Sequence, residues 1–173
     1  MKKLLIALGV ILSLGLLGAC DPATPTRETD PGEFEQETPG ESEDQGHTQN
    51  GLTVYEDEYY FTHEKVALYI HVFERLPDNY LTKSEAEALG WNSSERNLRE
   101  VTEEGMVGGD RFYNFEGNLP EASGRLYFQA DVNYDFEKSG GTRGPERIVY
   151  SDDGLVYYTA DHYDTFELLY GDE

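Results

Sequence analysis

The sequence predicts an α+β domain in which N-terminal helices pack on a five-stranded antiparallel sheet. Three observations carry this. Between about 62 and 101 apolar residues recur at helical spacing and are bracketed by capping signals. From Met106 onward the apolar residues alternate instead, in short runs. One of the turns between those runs, Asp152-Asp153-Gly154, is a tight hairpin signal. Helices first and strands after is the order of an α+β fold, since a parallel sheet would interleave them.

Each element follows from local chemistry. In Glu64–Phe73, Val66, Tyr69, Ile70 and Phe73 follow the i, i+3, i+4, i+7 pattern, with Thr62 as N-cap, Glu64 in the first turn and Pro77 as the stop. Thr82-Lys83-Ser84-Glu85 is a capping box that opens a second helix, and Gly90 ends it. Asn97–Val101 is a short third helix. The strands are expected at Met106–Phe112, Arg125–Tyr134, Arg147–Ser151, Leu155–Thr159 and Thr165–Tyr170. The second is the most informative. Leu126, Phe128, Ala130 and Val132 point one way, while Tyr127, Gln129, Asp131 and Asn133 point the other. One side can bury against a core, and the other suits a cleft floor as well as an ordinary solvated face.

Upstream of the domain the chain has a different character. Met1-Lys2-Lys3 precedes an apolar run to Ala19, the pattern of a secretory signal and too short for a membrane span. The run ends Leu17-Gly18-Ala19-Cys20, which resembles the lipobox of bacterial lipoproteins, so Cys20 is the expected lipidation site and a membrane the expected partner. It is the only cysteine, which excludes an intrachain disulfide. Residues 20–50 then read as an acidic, Pro-bearing tether, and residues 51–173 as the folded domain. The net charge is −22 and becomes −24 once residues 1–19, with their two lysines, are removed. So acidic a chain does not invite a polyanion through its overall field.

Against that background the few bases stand out. Arg143 and Arg147 flank the start of a strand, and His162 lies in Asp161-His162-Tyr163 after the fourth strand. Lys83 occupies the first turn of a helix, where a cation opposes the macrodipole. Each one alone reads as well as solvated charge. Converging on one cleft, they would bind a phosphate, with His162 able to move a proton at neutral pH.

From Thr62 to Tyr170 the chain resembles barnase and the related secreted bacterial guanyl-specific ribonucleases. The shared blocks are Leu76-Pro77-Asp78-Asn79-Tyr80, Thr82-Lys83-Ser84-Glu85-Ala86, Leu89-Gly90-Trp91, Gly108-Gly109-Asp110, Ser123-Gly124-Arg125, Ala130-Asp131, Asn133-Tyr134, Arg147-Ile148, and Asp161-His162-Tyr163 with Thr165-Phe166. The main insertion falls in Asp135–Thr142. The resemblance implies the microbial ribonuclease fold, no cofactor or metal, a monomer outside the cytoplasm, and single-stranded, guanine-containing RNA as substrate. It also implies cleavage by transphosphorylation to a 2′,3′-cyclic phosphate, and a barstar-like protein as inhibitor. By position, His162 is the general acid, and Arg143, Arg147 and Lys83 clamp the phosphate. Tyr163 flanks the substrate, Asp131 orients the arginines, and Asp110 supports the site. The guanine loop falls on Phe112–Asn118, with Phe112, Asn114 and Glu116 at the base.

The departures matter as much. The family's catalytic base, a glutamate, falls on Gln129, and a neutral amide cannot accept that proton. Loss of a general base typically costs about 10²–10⁴ in rate. Two of the family's basic residues fall on Phe115 and Phe128, so fewer cations are expected in the cleft. The reading is therefore a guanyl-preferring endoribonuclease of reduced activity. The alternatives are a silent module that binds RNA, a guanine nucleotide or an inhibitor, and a surface protein that has kept only the fold. The substitutes for the base are Asp131, whose basicity its expected arginine partners would lower, Asp110 if the fold brings it near, and His162 at the expense of leaving-group protonation.

Overall fold

A computed structural model describes residues 46–134 and 143–172. The signal segment, Cys20, most of the expected tether and the insertion at 135–142 lie outside the described residues. In chain order the described elements are β1 (His47–Gln49), β2 (Leu52–Val54), α1 (His63–Phe73), β3 (Tyr80–Leu81), α2 (Lys83–Ala88), α3 (Leu98–Val101), β4 (Met106–Phe112), β5 (Tyr127–Asp131), β6 (Arg147–Ser151), β7 (Val156–Thr159) and β8 (Glu167–Tyr170). The class is α+β, as expected. Among the described residues the sheet has six strands rather than five, in the order β3-β4-β5-β6-β7-β8. The extra strand, β3, is two residues long and parallel to β4, so the sheet is mixed. Two residues are too few to show a period in sequence. A separate hairpin, β1 with β2, begins at His47, a few residues before the expected start of the domain. Gly51 in its turn has φ +79°, which glycine adopts freely.

Helix α1 lies on one face of the sheet. Its residues Val66–Ile70 join Val54, Tyr60, Val132, Ile148 and Val156 in the principal core. Thr62 occupies the N-cap position without a side-chain cap bond. Asn133 supplies the acceptor instead, its Oδ1 taking the His63 N–H at 2.9 Å. The helix ends at Phe73 with Glu74 in the left-handed region, three residues ahead of Pro77. The capping box of α2 is formed as expected: the Glu85 N–H donates to the Thr82 hydroxyl, and the Thr82 N–H to the Glu85 carboxylate at 2.8 Å. Helices α2 and α3 close a smaller core of Ala86, Trp91, Leu98 and Val107.

The opposite face of the sheet is only partly polar. Tyr127 is 5% exposed and packs with Leu119, Val149, Leu155 and Tyr157, with Phe112, Tyr163 and Phe166 around them. Strand β5 is shorter than expected, and Leu126, placed on the buried side by alternation, is 40% exposed just ahead of it. Asn133 leaves the cleft row for α1, because it lies beyond the end of β5 with φ +54°. The polar floor therefore narrows to the upper half of the sheet, around Gln129 and Asp131.

Candidate active site

The floor of the site is fixed by strand register. Asp110 of β4 lies opposite Gln129 of β5, and Asp131 opposite Arg147 of β6. A bulge between Gly108 and Asp110 sets the first pair. Gly109 takes φ +92°, and a side chain on Gly108 would meet the Tyr80 ring at 2.6 Å and the Ala130 Cβ at 2.8 Å. The bulge re-aims the strand so that Asp110 joins the Gln129 row. The Asp110 carboxylate also accepts the Lys83 N–H at 2.9 Å, which ties the first turn of α2 to the sheet and brings Lys83 to this end of it.

Asp131 organises the cations. It is 4% exposed, and Arg143 grips it with two nitrogens, Nη2 at 2.8 Å from Oδ1 and Nε on Oδ2. Arg147 Nε lies 2.8 Å from Oδ1 in ion-pair contact, without its N–H aimed for a hydrogen bond. Arg147 Nη1 donates to the Gly144 and Glu146 carbonyls at 2.7 Å. The hydrogen bond to Asp131 holds the Arg143 pKa above its usual value despite burial. Removing one partner from such an assembly strands the others in low dielectric, so the three residues form one unit. Arg143 also lies over the Trp91 ring at 5.6 Å.

His162 is exposed and presented by a clamped turn. It and Tyr163 have φ +61° and +80°, unusual for residues with side chains. The turn holds because Asp161 Oδ1 accepts from the Asp164 N–H at 3.0 Å and the Thr165 N–H at 2.9 Å, and Oδ2 accepts from the Thr165 hydroxyl at 2.6 Å. Those donors, Thr165 first, pull the Asp161 carboxyl down to about 2. Strain of this kind persists only where the surroundings over-determine it, and it gathers at functional sites. A cavity of about 430 Å³ is lined by His162, Arg143, Arg147, Trp91, Ser93 and Arg96. Arg96, also in the left-handed region at φ +57°, was missed in the sequence. It was legible only as one more base between two short helices.

Gln129 and Tyr163 meet: the Tyr163 hydroxyl donates to Gln129 Oε1. Burial raises the Tyr163 pKa, which keeps the phenol a donor. The one acceptor oxygen that Gln129 shares with a glutamate is thus already engaged. Phe128 corrects an expectation. It lies on the α1 face opposite Gln129, stacked on Tyr150 at 5.6 Å with the Arg111 guanidinium 5.3 Å away, so it takes no cation from the cleft floor.

The Phe112–Asn118 loop is braced by Asn114. Its Oδ1 accepts the Leu119 N–H at 3.0 Å, and its Nδ2 donates to the Leu119 carbonyl at 2.9 Å. The Asn114 side chain is therefore structural rather than free to meet a base. The Gly117 N–H closes the turn on the Asn114 carbonyl at 3.0 Å. Among the described residues the Phe115 and Glu116 amides have no acceptor, and Glu116 is exposed. Phe112 packs inward against Tyr163, with ring centroids 5.1 Å apart.

Comparison with known proteins agrees with this architecture. The ribonuclease family model matches residues 63–170. A ribonuclease of Heyndrickxia coagulans is 52% identical over 105 residues, which cover 61% of this chain and 93% of that protein. A ribonuclease of Bacillus intermedius is also 52% identical over 105 residues, 62% of its length, so the chain spans somewhat under two thirds of that relative. Guanyl-specific ribonuclease St of Saccharopolyspora erythraea is 40% identical over 60 residues, 35% of this chain and 56% of that protein. With the matched region covering β3–β8 and the three described helices, the chain belongs to the barnase-like microbial ribonuclease family.

Proposed function

We propose that the protein is a guanyl-preferring endoribonuclease that cleaves RNA to a 2′,3′-cyclic phosphate at a reduced rate. One observation carries the reading: Arg143 and Arg147, both held by Asp131, border one cavity with His162, and Asp131 shares a strand with Gln129, which lies opposite Asp110. Arg143, Arg147 and Lys83 stabilise charge that grows on the phosphoryl oxygens. The ribose 2′-oxygen loses its proton and bonds to phosphorus, the bond to the 5′-oxygen breaks, and His162 delivers a proton to that leaving oxygen. Gln129 cannot take the 2′-proton. Asp110 takes it instead. Asp110 lies opposite Gln129, and among the described residues its carboxylate accepts the Lys83 N–H and is in no arginine salt bridge, whereas Asp131 is held by two arginines.

Guanine is read by the braced loop. The Phe115 and Glu116 amides face the base oxygen, and the Glu116 carboxylate accepts from the ring N–H and the exocyclic amine. Adenine lacks that combination. The test uses the full-length chain. It should cleave a guanylyl dinucleoside phosphate over the adenylyl equivalent and release the cyclic phosphate. Glu116→Ala should weaken 3′-GMP binding by about 1.5–3 kcal/mol, the range for a hydrogen bond to a charged group, while barely changing 3′-AMP. Equal, weak binding of both nucleotides by the unmodified protein defeats the guanine assignment. A protein that binds 3′-GMP yet cleaves nothing is the silent binding module.

The chain works outside the cytoplasm on an acyl anchor at Cys20, a reading supported by the Leu17–Cys20 motif. Cys20→Ala should move it from the membrane fraction to the soluble one or block processing. A processed variant that stays with the membrane refutes the anchor.

A further inference from the structure

The loop that braces on Asn114 also sends two large aromatic side chains into solvent. Tyr113 is 64% exposed and Phe115 is 86% exposed. Their rings are nearly parallel, 9° apart in plane with centroids 5.5 Å apart. The Arg111 guanidinium lies over the Tyr113 ring at 5.7 Å and over Phe128 at 5.3 Å, and Phe128 stacks on Tyr150. Planar groups thus run in a continuous series from the sheet out to the loop. The inner end is built into the fold, and the outer face, on Phe115, is open. A stacked aromatic pair left this exposed is unlike ordinary scattered surface residues. The two Asn114–Leu119 hydrogen bonds fix the loop, so the rings are presented in place and little ordering is needed on binding.

We propose that Tyr113 and Phe115, backed by Arg111, form an accessory stacking subsite for the nucleobase that adjoins the recognised guanosine in the RNA chain. The proposal rests on the guanyl reading of the same loop. The pair belongs to the turn that carries the free Phe115 and Glu116 amides, so a neighbouring nucleotide is within its reach. Aromatic stacking accepts any base, because every base has a π-face. It also suits this chain's electrostatics. With a net charge of −22 the molecule repels the RNA backbone at long range, and affinity from stacking needs no phosphate contact. RNA is favoured over a protein partner because the arginine plane continues the stack and the pair adjoins the base-reading amides.

The experiment uses the full-length protein and oligonucleotides whose guanosine is 2′-deoxy, so that nothing is cleaved. Binding of 3′-GMP is compared with that of oligomers extended by one nucleotide on either side of the guanosine, each with an abasic control. Extension by a base on one side should tighten binding about 5- to 150-fold, and the abasic extension should not. That gain should change little between about 0.1 and 1 M salt, although the Debye length falls there from about 10 Å to about 3 Å. The Tyr113→Ala/Phe115→Ala double variant should lose the gain, and the Tyr113→Ala single variant should lose most of it while keeping its 3′-GMP affinity. The Tyr113→Phe/Phe115→Tyr variant, which keeps both rings, should retain the gain. No gain on extension in a protein that binds 3′-GMP overturns the subsite and leaves the guanyl reading standing. So does a gain that survives the double alanine change. Equal loss of 3′-GMP and oligomer binding assigns the rings to the loop's own structure and also overturns it. Failure of the unmodified protein to bind 3′-GMP removes the guanyl reading and the subsite together.

Discussion

Gln129 is the residue on which catalysis turns, and its neighbours define what a substitution can do. Its Oε1 accepts from the Tyr163 hydroxyl, and Asp110 sits across the ladder. Gln129→Glu restores a proton acceptor to a site whose cations are already in place. It should raise kcat by about 10²-fold or more and add an acidic limb to the pH–rate profile at the new glutamate's pKa. If Asp110 serves as the acceptor in the unmodified protein, Asp110→Asn should remove most of the remaining cleavage, and Gln129→Glu should rescue that variant. Asparagine can still accept the Lys83 N–H, so α2 should stay docked and circular dichroism should be unchanged. Undiminished cleavage by Asp110→Asn would place the base elsewhere. At this scale the sequence was partly legible. Unusual cations in an acidic chain pointed to Arg143, Arg147, Lys83 and His162 one by one. The meeting of Arg143, Arg147 and His162 at one cavity depends on the register of β5 against β6, and the docking of the Lys83 backbone on Asp110 depends on the bulge at Gly109, neither of which a local pattern encodes. Arg96 went unread for the same reason.

At the scale of elements, the helices and strands with strong periodic or capping signals were readable, and the short ones were not. The expected spans of β4 and β6 coincide with the observed ones, and the Thr82–Glu85 box is formed as its spacing implied. β3 and the β1–β2 hairpin escaped because two or three residues carry no period. Tyr127 lies on the face that alternation gives it, with Gln129, but a second apolar cluster supplied by β6, β7 and the Leu119 loop covers what looked like a solvated side there. The turn that carries His162 is the element most exposed to test. Asp161 is held near 2, below its ordinary 3.8, by donors from Thr165, Thr159 and Asp164. A depressed folded-state pKa contributes stability above the unfolded value that is lost as pH falls through the folded one. Asp161→Asn should therefore be less stable than the unmodified protein at neutral pH, and the gap should close between about pH 4 and pH 2. Urea unfolding at several pH values measures this. A gap that persists at pH 2 would mean that the carboxylate's charge is not what holds the turn. The variant should also lose cleavage more than 3′-GMP binding, because the turn positions the proton donor rather than the guanine loop.

Over the whole molecule, two fields oppose each other. The chain carries −22 overall, yet the cavity beside His162 is bordered by Arg96, Arg143 and Arg147. A long RNA meets the first field while approaching and the second once it docks. The Debye length is about 30 Å at 0.01 M salt and about 10 Å at 0.1 M, so modest salt removes the long-range repulsion while leaving contacts of a few ångströms largely intact. The kcat/KM for a long RNA should accordingly rise as salt increases from about 0.01 to 0.1 M, and fall only at higher salt when the short-range phosphate contacts weaken. A guanylyl dinucleoside phosphate has one phosphate and feels the outer field weakly, so its kcat/KM should lack the rising limb. An enzyme with a cationic surface would show a decline from the lowest salt onward, because counterion release dominates there. A steady fall for long RNA across the whole range would mean that the arginine cluster governs approach as well as docking. The comparison of the two substrates separates these cases, since a salt effect on the chemical step would move both profiles together.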